Sequence, residues 1–401
     1  MSDLAPSNQE AQKAGEALKQ RVREILPIIA KNAEKTDANR SVAEENIELL
    51  KAAGFTRALQ PKAFGGLEID APSYGPILME IAENCSSTAW VAGLLAQHSH
   101  MIALMSEELQ QEIWGKDTSV LVSSSVAPIL EAKPVDGGVI LDGTWSWSSG
   151  CDHADWAQLG FKRAVPELDN MMLPHMACVP KTDYEIIDDW HTAGLKGTGS
   201  KTLKLKNVFV PEHRIDGYIE LATGQSKGFG SHPGKIFHSP FASYFALGFS
   251  ITALGTAKAF IKLYKEKQSK RVRAYTGAKA ADSAPAYMRL AESVLQVRAA
   301  EARLAQDWSE MAQHCNELRL PDESMSTSWR ASQTYVTNQA IEAVNRLYTG
   351  SGGSAWFDNN RMQKLWRDVN MAGSHAYSDL DVAKQTYGRH LMDIEPDMDL
   401  F

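Results

Sequence analysis

Few side chains in this chain have types and spacings that suggest chemistry. His98 and His100 form the one close histidine pair, His375 lies in Ser374-His375-Ala376-Tyr377, and Ser149 lies in Trp147-Ser148-Ser149-Gly150. An unperturbed imidazole titrates near pH ~6.5, so these histidines are candidates for moving a proton at neutrality. Residues two apart face different sides of a helix, so His98 and His100 are not expected to share a metal, and no metal site is predicted. No G-x-G-x-x-G follows a strand, and neither G-x-x-x-x-G-K-[ST] nor H-E-x-x-H occurs. Redox chemistry through an organic cofactor is the strongest remaining option.

The elements that position these groups fall into three zones. Residues 1–118 read as an α-helical domain. Ser41-Val42-Ala43-Glu44 has the spacing of a capping box, and Gly54 stands where that helix should stop. Further helices are predicted at about 73–84 and 88–105. Over 119–228 the hydrophobic period becomes two. Val139, Leu141, Trp145 and Trp147 alternate with polar or outward positions, and Leu203 alternates with Leu205 in the same manner, predicting an antiparallel β-domain. Residues 229–401 return to helical spacing. Leu290, Val294, Val297, Leu304, Trp308 and Met311 form one face of a long helix, and a helical bundle is predicted. The expected fold class is therefore α+β, in the order α-domain, β-domain, α-bundle.

Composition narrows the partners. A hydrophobic content of 44% with 22% charged residues is that of a soluble globular protein, and 401 residues suggest two to three domains. The net charge of −8 repels phosphate backbones and anionic lipids, so neither nucleic acid nor a membrane is an expected partner. Cys85, Cys151, Cys178 and Cys315 have no framework spacing and read as reduced thiols of a cytoplasmic protein. The polar amino terminus reads as neither a signal nor a transit peptide. Ile236 to Ala257 carries no Lys, Arg, Asp or Glu and is long enough to span a bilayer. Its Pro240, His238, Tyr244 and several hydroxyl residues predict a buried core helix instead.

Recurring phrases then connect the chain to a known family. Pro61-Lys-Ala-Phe-Gly-Gly66, Gly194-Leu-Lys-Gly-Thr-Gly-Ser200, Asn207-Val-Phe-Val-Pro211, Arg273-Ala-Tyr-Thr-Gly277 and Gly350-Ser-Gly-Gly-Ser354 occur in the order found in the acyl-CoA dehydrogenase fold. Thr88-Ala-Trp90, His98-Ser-His100, Ser123-Ser-Ser125, Trp147 to His153 and Ser374 to Tyr377 bring the chain nearer to one branch. It resembles the flavin-dependent monooxygenases, the oxygenase components of two-component aromatic hydroxylases acting on 4-hydroxyphenylacetate or on steroid-derived phenols. The resemblance covers nearly the whole chain and implies that residues 229–401 form a four-helix bundle that serves in oligomerisation.

It implies that a diffusible reduced FMN or FAD, supplied by a separate NAD(P)H-dependent flavin reductase, reacts with O2 to give a flavin hydroperoxide that hydroxylates an aromatic ring. It places Ser149 at the flavin N5, His375 beside the flavin, and Trp90 and Trp147 as walls. His98 and Ser124 are placed near the substrate's ring hydroxyl or N–H, with Ala242 and Phe245 in the substrate segment. Arg271 and Arg273 fall on the flavin-phosphate motif, and Gly350, Gly352, Gly353 and Ser354 are expected to approach that phosphate from a neighbouring subunit, implying a homotetramer.

Two departures carry weight. Acyl-CoA dehydrogenases commonly place a catalytic glutamate shortly after an Arg-Asp pair. Here Arg367-Asp368 is followed by no acid before Asp379, which argues against thioester dehydrogenation. That reading survives only as an alternative, with its base elsewhere at Glu292 or Glu301, and a catalytically silent flavin-binding scaffold is the third. Ala242 stands where the 4-hydroxyphenylacetate hydroxylases carry an arginine for the substrate carboxylate. Burying a carboxylate without a cation is costly, so a neutral phenol, indole or steroid-derived ring is expected.

Overall fold

The computed structural model describes residues 9–395, so the first eight residues of the polar amino terminus lie outside the described residues. Six helices come first: α1 Gln9–Lys31, α2 Ala33–Asn39, α3 Glu44–Ala53, α4 Ala71–Asn84, α5 Ser86–Ala103 and α6 Glu107–Trp114. Gly54 ends α3 with a left-handed backbone, as expected. The start of α3 departs from the expectation. Ala43 is its N-cap, and Ser41 caps nothing; its hydroxyl lies 3.3 Å from His153 Nε2. The Ala43 N–H donates instead to Thr36 Oγ1 at 3.1 Å, so α2 satisfies the turn that Ser41 was expected to close.

The strands are β1 Val122–Ser125, β2 Lys133–Val135, β3 Gly138–Ser148, β4 Trp156–Val165, β5 Met171–Pro180, β6 Glu185–Ile187, β7 Lys201–Pro211 and β8 Ile215–Gly217. They form two four-stranded sheets, ordered β1-β4-β5-β8 and β2-β3-β7-β6. The sheets are largely antiparallel, but β1 runs parallel to β4. Val139, Leu141, Trp145, Leu203 and Leu205 are buried in a core drawn from both sheets. Trp147 breaks the expected alternation. The register between β3 and β7 shifts between Trp145 and Ser148, and Trp147 is left 65% exposed.

The remaining helices are α7 Tyr218–Thr223, α8 Phe241–Phe245, α9 Leu247–Lys270, α10 Ala284–Asn316, α11 Glu323–Thr349, α12 Arg361–Ala372 and α13 Leu380–Leu391. The uncharged stretch from Ile236 is buried as predicted, but it is not one helix. A short 3-10 turn, an interruption at Pro240 and α8 precede α9, because proline cannot supply the N–H that a continuous helix needs. On α10, Val297, Leu304, Trp308 and Met311 are buried while Leu290 and Val294 are half-buried. One hydrophobic core runs from α1, α4 and α5 into α9, α10, α11 and α12, so the first and last helical segments share an interior. The sheets keep a core of their own, and the candidate site lies where α5 meets both.

Candidate active site where the helices meet the sheets

The turn after β3 is held directly on α5. Gly150 has φ 73°, and a Cβ there would sit 2.6 Å from Val91 Cγ1, so glycine alone permits this approach. The result is a buried polar chain. Trp90 Nε1 donates to Ser149 Oγ at 3.2 Å, and Ser149 Oγ lies 2.7 Å from Ser200 Oγ. Ser200 Oγ lies 2.7 Å from Thr198 Oγ1, which donates to the Leu195 carbonyl at 2.9 Å. Ser200 and Thr198 come from the turn entering β7, so the site joins a strand end, a helix and a second strand start. Neither residue was singled out from sequence, although both belong to the Gly194–Ser200 phrase.

An aromatic layer adjoins this chain. The Trp90 and Phe249 rings are 4.9 Å apart, and Phe249 stacks on His375 at 4.0 Å. Phe245 continues the layer to Tyr377 at 5.0 Å and to His98 at 6.1 Å. The structure thus brings Trp90, Ser149, His375, Phe245 and His98 into one region. Ala242 lies one turn before Phe245 on α8 and is half-buried. A cavity of about 420 Å³ opens beside His375, lined by Thr337, Ile341, Ser374, Ser378 and Asp379.

Both histidines differ from the ordinary imidazole assumed above. Burial lowers the pKa of His98 to about 4, opposed by its backbone hydrogen bond to Val122, and burial alone lowers His375 to about 4. At pH 7 each is therefore neutral with a fixed tautomer. His98 Nδ1 lies 2.6 Å from the Val122 carbonyl, which can only accept, so Nδ1 carries the proton and Nε2 accepts. Ser124 Oγ, 2.7 Å from Nε2, donates to it and keeps its own lone pairs free. His375 Nδ1 accepts from the Tyr377 N–H at 3.2 Å, which puts the proton on Nε2. His100 turns elsewhere, to the Ile236 carbonyl at 2.9 Å.

The arginine and glycine motifs also meet. Arg271 Nη1 donates to the Gly350 carbonyl at 3.2 Å, and a Cβ on Gly352 would lie 2.3 Å from the guanidinium. The glycine leaves room for the arginine and, at φ 81°, holds a conformation that L side chains resist. Arg271 and the segment from Gly350 to Gly352 thus meet within one chain. Arg273 is exposed in the loop after Arg271. The Gly353 backbone is open, and the Ser354 carbonyl accepts from Asn360 Nδ2 at 2.7 Å. Trp147 stands apart from the aromatic layer, 6.2 Å from Trp190, and presents its ring outward.

The alternative bases lie on the surface. Glu292, 65% exposed, pairs with Arg346 at 3.2 Å, and Glu301, 40% exposed, pairs with Lys258 at 2.8 Å, so each carboxylate is engaged by a cation in reach of solvent. Asp368 is buried in structural bonds to Leu195 and Lys364. Gly224-Gln225-Ser226-Lys227-Gly228 carries the G-x-S-x-G spacing of a nucleophilic serine, but it follows helix α7 rather than a strand. Its buried Ser226 hydroxyl has no hydrogen-bond partner among the described residues.

Known proteins resemble this chain over most of its length. Residues 12–118 match the acyl-CoA dehydrogenase N-terminal domain and residues 247–379 the C-terminal domain. The chain is 46% identical over 385 residues to the oxygenase component of p-hydroxyphenylacetate 3-hydroxylase from Acinetobacter baumannii, covering 96% of this chain and 91% of that protein. It is 33% identical over 374 residues to the flavin-dependent monooxygenase oxygenase subunit HsaA of Rhodococcus jostii strain RHA1, covering 92% and 96%. The crystal structure of 3-HSA hydroxylase from Rhodococcus sp. RHA1 superposes with a TM-score of 0.90 at 31% identity, covering 96% and 99%. The architecture is that of the acyl-CoA dehydrogenase fold. Within it, this chain belongs to the oxygenase components of two-component, flavin-dependent aromatic monooxygenases.

Proposed function

We propose that this chain binds reduced FMN or FAD delivered by a separate NAD(P)H-dependent flavin reductase and, with O2, hydroxylates a small aromatic ring. When bound, the reduced flavin supplies the two electrons that split O2 between the hydroxylated product and water. The observation that carries this reading is the Trp90–Ser149 node beside the His375–Phe249 stack, which offers a neutral, water-poor wall and one hydroxyl acceptor. Ser149 accepts at N5, buried Trp90 backs the ring system from within, Trp147 offers its exposed ring only from the outer side, and His375 Nε2–H donates toward the reacting edge. Arg271, Arg273 and the segment from Gly350 to Ser354 hold the phosphate, where an arginine fork suits phosphate oxygens.

Ser124 and His98 receive the substrate's hydroxyl. The Ser124 lone pairs accept that proton's hydrogen bond while His98 accepts from Ser124, drawing electron density toward the ring. Phe245 supplies aromatic surface, and Ala242 brings no cation, which supports a neutral phenol or indole. A specific observation favours a second reading, an aromatic acid. Arg330 lies 5.6 Å over the Tyr377 ring, and its Nε has no hydrogen-bond partner among the described residues. Initial rates with p-cresol and with p-hydroxyphenylacetate, at equal reduced flavin and O2, decide between them. Preference for p-cresol supports the neutral reading. Preference for p-hydroxyphenylacetate that Arg330→Met abolishes supports the acid. Oxidation of reduced flavin with release of hydrogen peroxide alone, for every aromatic tried, sinks the hydroxylase proposal.

The working form we propose is a cytoplasmic homotetramer. Tyr287, Met288 and Leu295 stand exposed on α10, and Trp356 and Phe357 stand exposed beside the glycine segment. Large apolar groups clustered this way suit burial against a second copy of the chain.

A further inference from the structure

We propose that Thr198 and Ser200 are positioning residues that fix the direction of the Ser149 hydroxyl and thereby make the site select reduced over oxidised flavin. The inference rests on the reading that Ser149 faces N5, and it assigns roles to two side chains that do not themselves reach the flavin.

The direction follows from the two ends of the buried chain. At one end Trp90 Nε1 can only donate, and it donates to Ser149 Oγ. At the other end the Leu195 carbonyl can only accept. Thr198 Oγ1 lies 2.9 Å from it, so the Thr198 proton is committed there. Thr198 must then accept from Ser200 across 2.7 Å, and Ser200 must accept from Ser149 across 2.7 Å. The reverse order would set two lone pairs against each other at the Leu195 carbonyl. Trp90, Ser149, Thr198 and Ser200 are all buried, so water is not at hand to substitute for any member.

Ser149 Oγ therefore has its one proton engaged and one lone pair in use, leaving a single open position that can only accept. Reduced flavin carries a hydrogen on N5 and completes this position. Oxidised flavin presents a lone pair at N5 and leaves the acceptor unpaired, at the cost of a missing hydrogen bond in a buried site. Polarity set three hydroxyls deep thus becomes a preference for one redox state. It also favours release of the oxidised flavin after turnover.

Equilibrium binding of FMN tests this, anaerobically for the reduced form, together with the midpoint potential of bound FMN. Thr198→Val keeps the shape of the side chain but removes the proton held by Leu195, freeing Ser200 to donate toward Ser149 and Ser149 to donate toward N5. The expected result is a fall in the oxidised-to-reduced Kd ratio on the order of tenfold. For a two-electron couple this lowers the bound-flavin potential by about 30 mV. Ser200→Ala should reduce the ratio similarly, and Thr198→Ser, which retains the hydroxyl, should restore it. Should Ser149→Ala lower the ratio while Thr198→Val and Ser200→Ala, folded by their thermal transitions, leave it at the wild-type value, the polarity proposal is overturned and the N5 reading stands. An unchanged ratio in Ser149→Ala overturns both.

Discussion

Asp368 on α12 accepts a 2.8 Å hydrogen bond from the backbone N–H of Leu195, the residue whose carbonyl anchors the hydroxyl chain leading to Ser149. The same carboxylate accepts from Lys364 Nζ at 2.5 Å, and both side chains are largely buried. A dipeptide that resembles the approach to a catalytic acid in dehydrogenases thus clamps the C-terminal helices to the turn that enters β7.

Removing that clamp should cost stability and flavin affinity together. Asp368→Ala leaves Lys364 with Asp37, 3.7 Å away, as its one remaining ion-pair partner among the described residues. Breaking a buried pair by deleting one partner costs about 3–5 kcal/mol. Urea unfolding should show a loss of that order, and FMN binding to the folded variant should weaken as the 195–200 turn shifts. An undiminished unfolding midpoint would refute the clamp.

The Ser124–His98 pair predicts a split between flavin and substrate effects. Ser124→Ala removes the hydroxyl that sits 2.7 Å from His98 Nε2 and is proposed to link it to the ring oxygen of the substrate. Hydroxylation should slow by about 10²-fold, the scale of lost general acid–base assistance. Reduced-FMN affinity should stay within twofold. Product yield per flavin oxidised, with hydrogen peroxide measured alongside, reports the split directly.

Stability should decline in mild acid through the buried histidines. Burial lowers His98, His100 and His375 to about 4, whereas an unfolded imidazole titrates near ~6.5. The unfolded chain binds protons first, so the histidine contribution is fully present above pH ~6.5 and drains away as pH falls toward 4. Each such group steepens the dependence by at most about 1.4 kcal/mol per pH unit. His100→Gln keeps a donor for the Ile236 carbonyl without titrating. Its urea midpoint should vary less between pH 7 and 5 than that of wild type.

Assembly should depend on the outer face of α10. Leu295 and Met288 are separated by two turns and are both about two-thirds exposed. Introducing Glu at both positions places charges where a second copy would bury them, so light scattering should show a smaller species for M288E/L295E. A tetramer of unchanged mass would move the interface elsewhere.

Much of this was legible in the chain itself. Helical spacing in α10, the period of two in β3 and β7, and Gly54 as a stop each act over a few residues, and local patterns report local constraints. The motif phrases named Trp90, Ser149, His98, Ser124 and His375, which the fold then gathers into one region. Tertiary structure alone decided what those groups are. Burial changed both histidines from neutral-pH titrators to neutral partners of fixed tautomer, and a register shift turned Trp147 outward. The direction of the Ser149 proton is set by an indole from α5 and a carbonyl before β7, groups separated by 105 positions that meet only when the helices and sheets have packed.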